Sequence, residues 1–286
     1  MRPGRCYMST DREAILSTLR DKARFCRMET IRLIAIAKSG HYGSVFSAAE
    51  IFALLYYHVL HYDPQNPGWP DRDRFILSKG HAAVGLYPLL ADVGFFDPAL
   101  LNTYTRLGSP FGDHPDMRKI PGIDFSSGSL GHGLSVGVGM ALAARVTGRD
   151  YRVYVLLGDG EMDEGQVWEA AMSAAHFDLG NLIAIVDRNR VSVDGETSEV
   201  MDIEPLPDKW AAFGWRVREV DGHDLEALLR LFNGLPDPAS NQPTVIIAHT
   251  VAGKGVSFME NRFEWHLGYL APDDQAQALA ELEGDR

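Results

Sequence analysis

The stretch that most constrains the fold is residues 151–195, YRVYVLLGDGEMDEGQVWEAAMSAAHFDLGNLIAIVDRNRVSVDG. An apolar run at 153–157 meets a Gly158-Asp159-Gly160 turn. An amphipathic segment follows at 166–177, and a second apolar run at 182–186 ends in Asp187-Arg188-Asn189. Strand, turn, helix and strand in that order make a βαβ unit whose strands are parallel neighbours. In an open parallel sheet, ligands sit beyond the carboxyl ends of the strands. Asp159 and Asn189 each stand just past such an end, so they are expected to converge on one spot.

One carboxylate and one amide oxygen beside glycines suit a hard cation, because Mg²⁺ takes oxygen ligands and shares its shell with water and substrate phosphates. A bare GDG is an ordinary tight turn. The separation 189 − 159 = 30 residues is what matches a βαβ unit. The segment resembles the thiamine-diphosphate signature, and its wording is closest to the transketolase family. That resemblance implies that Asp159, Asn189 and the backbone carbonyl of Val191 hold Mg²⁺, with Ca²⁺ or Mn²⁺ as substitutes, against the cofactor's diphosphate. Arg188-Asn189 stands where relatives carry Asn-Asn or Asp-Asn.

The chain has 286 residues, 45% of them hydrophobic, ample for one large doubly wound α/β layer structure. Its formal charge, 27 − 39 = −12, argues against a nucleic-acid footprint or an anionic membrane surface. Cys6 and Cys26 lack metal-ligand spacing, so a structural disulfide is not expected and a reducing cytoplasm is the expected location. No apolar run reaches transmembrane length. Residues 1–10 lack a signal-peptide core and read as a disordered tail, or as an upstream start before Met8. Residues 11–286 show no linker, repeat or composition shift and read as a single domain.

Thr10-Asp11 can cap a helix that carries Ile15, Leu19, Met28, Ile31 and Ala35 towards a core through Lys38. It stops at Ser39-Gly40-His41-Tyr42-Gly43, where His41 alone would pass for a helix-end loop residue. Residues 48–60 read as a helix too apolar to be exposed on any side, with His58 and His61 at its edge. After a Pro-rich loop at 63–73, residues 75–77 run extended into Ser78-Lys79-Gly80-His81, and a helix begins at Ala82. Residues 108–132 are mostly loop and contain Asp113-His114-Pro115. The run SSGSLGHGLSVGVGMALAARV has Gly128, Gly131 and Gly133 ahead of a helix of small residues. Free N–H groups and close backbone approach there suit a phosphate at Gly128, Ser129 and Leu130, with Gly137 and Gly139 serving helix packing. Further on, a short helix starting at 210–213, a strand at 215–220, a helix at 225–232 and a strand at 244–250 keep the alternating rhythm of a mostly parallel sheet flanked by helices. A final helix at 273–282 reads as peripheral.

Beyond the central unit, the Gly-His-x-Gly loop at His41, the SKGH run at His81, the His-Pro-Asp loop at His114 and the KGVSFME…EWH segment ending at His266 resemble transketolase motifs in family order. Tyr42 stands where many relatives have Pro, Asp113 where they have Gly, and Leu267-Gly268 where Gly follows the last His directly. The resemblance implies that His41 and His114 face substrate and that His81 and His266 lie at the diphosphate and reacting centre. It also implies that Gly160 and Glu164 belong to the cofactor site, and that Glu164 and Glu169 form an acidic pair at a dimer interface. Glu169 reads equally well as a helix-start charge.

A full transketolase chain is more than twice this length. The resemblance therefore implies the diphosphate-binding subunit of a split transketolase, active only with a separate C-terminal subunit carrying the pyrimidine-binding domain. The expected assembly is α2β2. It would transfer a two-carbon ketol unit from a ketose phosphate to an aldose. Deoxyxylulose-phosphate synthase and the α chain of 2-oxoacid dehydrogenases share parts of the signature, and an inactive partner-binding subunit is the non-enzymatic alternative.

Overall fold

The apolar runs at 75–77, 153–157, 182–186 and 244–250 become strands of one sheet. In chain order the strands are β1 (Arg74–Leu77), β2 (Val153–Gly158), β3 (Leu182–Arg188), β4 (Val191–Ser192), β5 (Gly195–Glu196), β6 (Arg216–Asp221) and β7 (Thr244–His249). The main sheet runs β1-β2-β3-β7-β6 with every pair parallel, and β4-β5 is a small antiparallel hairpin. This computed structural model describes residues 12–284; the tail expected at residues 1–10 and the Thr10-Asp11 cap lie outside the described residues.

Side chains along β1, β2, β3 and β7 alternate between two cores. Phe75, Leu77, Tyr154, Leu156, Ile183, Ile185 and Ile246 enter one core, whereas Ile76, Val153, Val155, Leu157, Ala184, Val186 and Val245 enter the other. A sheet covered on both faces needs apolar residues at odd and even positions alike, which is why these strands read as continuous runs. The helices are α1 (Arg12–Ala37), α2 (Gly43–Phe46), α3 (Ala49–Leu54), α4 (Ala83–Asp92), α5 (His132–Val146), α6 (Gly165–His176), α7 (Thr197–Val200), α8 (Leu206–Ala212), α9 (Leu225–Asn233) and α10 (Pro272–Gly284). Residues of α1, α3, α4, α9 and α10 fill the first core, and α5, α6 and α8 fill the second. The doubly wound α/β expectation is met.

Several local expectations change. The apolar segment at 48–60 is not one helix: α3 passes into a π-helical turn at Leu55–Val59, and α2 is a separate turn before it. The segment is buried as expected, and the wider π turn carries Tyr56 and Tyr57 inward. The short helix near Trp210 begins earlier and ends by Ala212, because proline is tolerated in a first helical turn and Pro207 occupies it. Gly137 does pack, since a Cβ there would lie 2.7 Å from Cγ2 of Val155, but Gly139 faces open space and has no packing role. The final helix is tied in more than expected: Ala278 and Leu282 are buried in the first core. Among the described residues, no helix is long and apolar enough to cross a membrane.

Candidate active site

The polar residues gather where the carboxyl ends of β1, β2, β3 and β7 meet. Lys79, just beyond β1, is buried and pairs with Asp187 near the end of β3. Its ammonium also donates to the Ser44 carbonyl at 2.7 Å. Asp187 in turn accepts from the Thr250 hydroxyl, from Ser47 Oγ at 2.6 Å and from Asn189 Nδ2 at 3.2 Å. A buried charge persists only when paired and hydrogen-bonded, and this one is satisfied from four sides.

Glu161 ties the neighbouring segments together. Its carboxylate accepts from the Ser78 hydroxyl, from the Gly131 N–H at 2.8 Å and from the Gly158 N–H at 3.0 Å. The SKGH run, the glycine-rich turn before α5 and the end of β2 are thus held by one side chain. Burial pushes its carboxyl upward despite these donors. Gly133 and Gly131 permit the approach: a Cβ at Gly133 would fall 2.3 Å from Ser78 Oγ, and Gly131 has a left-handed φ of 83°.

Asp159 and Asn189 converge as expected. Asp159 Oδ1 accepts from the Gly160 N–H at 2.9 Å, and Oδ2 accepts from the Arg190 N–H at 2.5 Å. Asn189 Oδ1 accepts from the Val191 N–H at 3.0 Å, and Arg190 turns in the left-handed region at φ 65° into the β4–β5 hairpin. Burial, and then the Asp187 charge, push the Asp159 carboxyl up to about 7. A carboxylate so short of positive charge fits a cation, which would supply the missing counter-charge. Asp159, Asn189 and the Val191 carbonyl offer only oxygen donors, the set suited to Mg²⁺. In the glycine-rich turn the Ser127 hydroxyl, packed against Gly80 of the SKGH run, is buried and has no hydrogen-bond partner. These residues fit a metal and a diphosphate.

Three imidazoles form a cluster. The His41 ring lies 4.8 Å from His81 and 5.5 Å from His266, and His81 lies 5.5 Å from His266. The loops bearing the outer two are stitched together: Gly40 N–H donates to the Gly268 carbonyl at 3.1 Å, and Gly268 N–H returns to Gly40 at 2.9 Å. Leu267, the residue that separates His266 from the glycine, is therefore accommodated on the surface while Gly268 makes the pairing. Tyr42 buries its ring against Phe46 and Trp265. Burial and the neighbouring His41 charge hold His81 well below the ordinary imidazole range, and the same causes bring His266 down to about 4. Lys79 contributes to the shifts at Asp159, Glu161, His81 and His266 alike, so the imidazoles and the carboxylates share one electrostatic neighbourhood.

The fourth histidine, His114, is exposed, and a Cβ on Gly128 would lie 3.5 Å from its ring. Its neighbour Asp113 reaches the other way, placing Oδ2 3.6 Å from His41 Nδ1. Ser129 is exposed and Leu130 half-buried just ahead of α5. Glu164 and Glu169 are exposed at the start of α6. Glu161, Lys79, Asp187, Ser47 and Thr250 were not singled out from the sequence. The local hints were the Glu directly after GDG and the places of Lys79 in the SKGH run and Asp187 at the end of the second apolar run.

This chain belongs to the transketolase family: residues 19–284 match the domain described as "Transketolase, thiamine diphosphate binding domain". It is 40% identical over 267 residues to an apulose-4-phosphate transketolase subunit of Phocaeicola vulgatus, covering 93% of this chain and 94% of that one. It is 43% identical over 265 residues to the 6-deoxy-6-sulfo-D-fructose transketolase subunit SqwG of a Clostridium species, covering 93% and 96%. Human transketolase is 40% identical over 267 residues, yet this chain spans only 42% of it. The solved transketolase of Leishmania mexicana superimposes with a TM-score of 0.86 at 32% identity, covering 93% of this chain and 41% of that one.

Proposed function

We propose that this chain is the diphosphate-binding subunit of a two-subunit transketolase, moving a two-carbon ketol unit from a ketose phosphate to an aldose. The observation that carries the reading is the meeting of Asp159 and Asn189 in one neighbourhood with three clustered imidazoles. End-to-end likeness to proteins named as subunits, against about four tenths of full-length transketolases, supports a separate partner. In this reading the partner carries the pyrimidine-binding half, the pair forms a symmetric α2β2 assembly, residues 11–286 act as one domain, and the enzyme works in the cytoplasm.

Bound thiamine diphosphate supplies the electron sink for breaking a carbon–carbon bond beside a ketone. Asp159, Asn189 and the Val191 carbonyl would hold Mg²⁺. Backbone N–H groups from Gly128, Ser129 and Leu130 would meet the diphosphate, with Gly160 and Glu164 at the edge of the cofactor site. His81 and His266, kept neutral at pH 7 by burial, can each donate from one ring nitrogen and accept at the other. They suit passing a proton to or from a substrate oxygen without adding charge to an enclosed site. His41 and His114 hold the substrate's hydroxyls.

The test is to supply the purified chain with thiamine diphosphate, Mg²⁺ and several donors, including apulose 4-phosphate and 6-deoxy-6-sulfo-D-fructose, with and without a C-terminal subunit encoded beside it. Ketol transfer appearing only on mixing supports the reading. Full turnover by the chain alone would refute the split arrangement, and no transfer by the mixture would refute the activity.

A further inference from the structure

Asp113 brings a carboxylate into the histidine cluster. Its Oδ2 lies 3.6 Å from His41 Nδ1, just beyond hydrogen-bond distance of an atom that is buried and has no hydrogen-bond partner. Hydrogen bonds of this kind are commonly long before substrate binds and tighten afterwards. The remaining rings against His41 belong to His81 and His266, both kept uncharged at neutral pH by burial, so neither competes as an anionic acceptor.

The carboxylate itself is held in place. Tyr104, with its ring buried, directs its hydroxyl to Asp113 Oδ1 at 3.4 Å and so leaves Oδ2 for His41. The preceding turn is anchored by Phe111, buried in the first core, and by the Tyr87 hydroxyl, which donates to the Gly112 carbonyl at 2.9 Å. Burial pushes the Asp113 carboxyl up, but the approach of the His41 imidazole, the His114 charge and the Tyr104 hydroxyl outweigh it, so the group is ionised at neutral pH.

We propose that Asp113 is a positioning residue: it accepts a hydrogen bond from the Nδ1–H of His41, fixes that tautomer, and leaves Nε2 as the acceptor that reads a substrate hydroxyl. An anion at this point also sorts substrates. The end of the sugar that meets His41 must be an uncharged polyol or carbonyl group, and the phosphate or sulfonate end must lie away from it. The inference rests on the transketolase reading and deepens it.

The experiment compares Asp113→Ala, Asp113→Asn and Asp113→Glu, each mixed with the partner subunit, and also titrates each isolated chain with thiamine diphosphate and Mg²⁺ by calorimetry. Ala and Asn are expected to lower kcat about 10- to 100-fold, the scale of loss when the carboxylate that orients a metal-bound histidine is removed. KM for the ketose phosphate should stay within about threefold and cofactor affinity at the wild-type value, because only the transition-state contribution of His41 is lost. Glu should recover most of the rate. Unchanged kcat in Ala and Asn, or cofactor affinity falling in step with kcat, overturns the inference while leaving an active wild-type pair. A wild-type pair without ketol transfer overturns the functional reading and this inference together.

Discussion

Lys79 Nζ and Asp187 Oδ2 pair in the floor of the site with 1% and 0% of their side chains exposed. Deleting one member of such a pair strands the other charge, at about 3–5 kcal/mol, whereas replacing both by apolar groups of similar size is near neutral. Lys79→Met and Asp187→Leu should each cost about that much in urea unfolding, and the double variant far less than their sum. Additive losses would show that the ammonium and carboxylate are stabilised separately, the former by Ser44 and the latter by Ser47 and Thr250.

Glu161→Gln keeps the volume but replaces one acceptor oxygen with a donor, which must face the N–H of either Gly131 or Gly158. Hydrogen bonds to a charged group contribute about 1.5–3 kcal/mol, so the loss should be on the order of 2 kcal/mol or more. Cofactor affinity should fall too, since the glycine-rich turn is released from β2. A variant as stable as wild type would refute the tie.

Asp159 should make the metal-free chain pH-sensitive in a particular direction. Its folded value of about 7 exceeds the ordinary 3.8, so between those values the folded state binds more protons than the unfolded. Stability therefore falls as pH rises from about 4 to about 7, by up to a few kcal/mol from this group. In EDTA, Asp159→Asn should be more stable than wild type at pH 8, and the difference should shrink towards pH 4. Added Mg²⁺ and thiamine diphosphate should stabilise wild type and not the variant. Equal stabilisation of both would remove Asp159 from the metal site.

His266 works with the opposite sign. Its folded value near 4 lies below the ordinary 6.5, so the folded state binds fewer protons in that window. Stability from this group is complete above about 6.5 and is lost as pH falls towards 4. Thermal melts of His266→Gln should show a shallower acid loss than wild type, by on the order of 1–3 kcal/mol at pH 4. An identical slope would mean the ring is not desolvated as the cluster implies.

The sheet and the pairing of Asp159 with Asn189 were legible because each depends on short-range pattern: apolar runs, turn residues and a separation set by one βαβ unit. The surrounding scaffold was not. Ser47 and Asp187 meet across 140 residues and Ser78 and Glu161 across 83, and no local spacing encodes either contact. The π turn at Leu55–Val59 and the solvent-facing Gly139 were missed for a related reason: tertiary packing, not propensity, decides how a uniformly apolar helix bends and which small residue touches the sheet. The Gly40–Gly268 pairing likewise settles how the loop after His266 leaves the site, which the inserted Leu267 had left open.

β2 and β3 are inner strands, bonded to neighbours on both edges and packed on both faces, and the Gly158 and Arg190 amides beyond or at their ends donate to buried carboxylates. Loop amides usually exchange with solvent through small local fluctuations. Held by buried carboxylates at the ends of central strands, these two are expected to exchange only as those strands come apart. Their deuterium uptake should follow the slowest cooperative unit of the molecule, so the corner that holds Asp159 and Asn189 should be among the last regions to open.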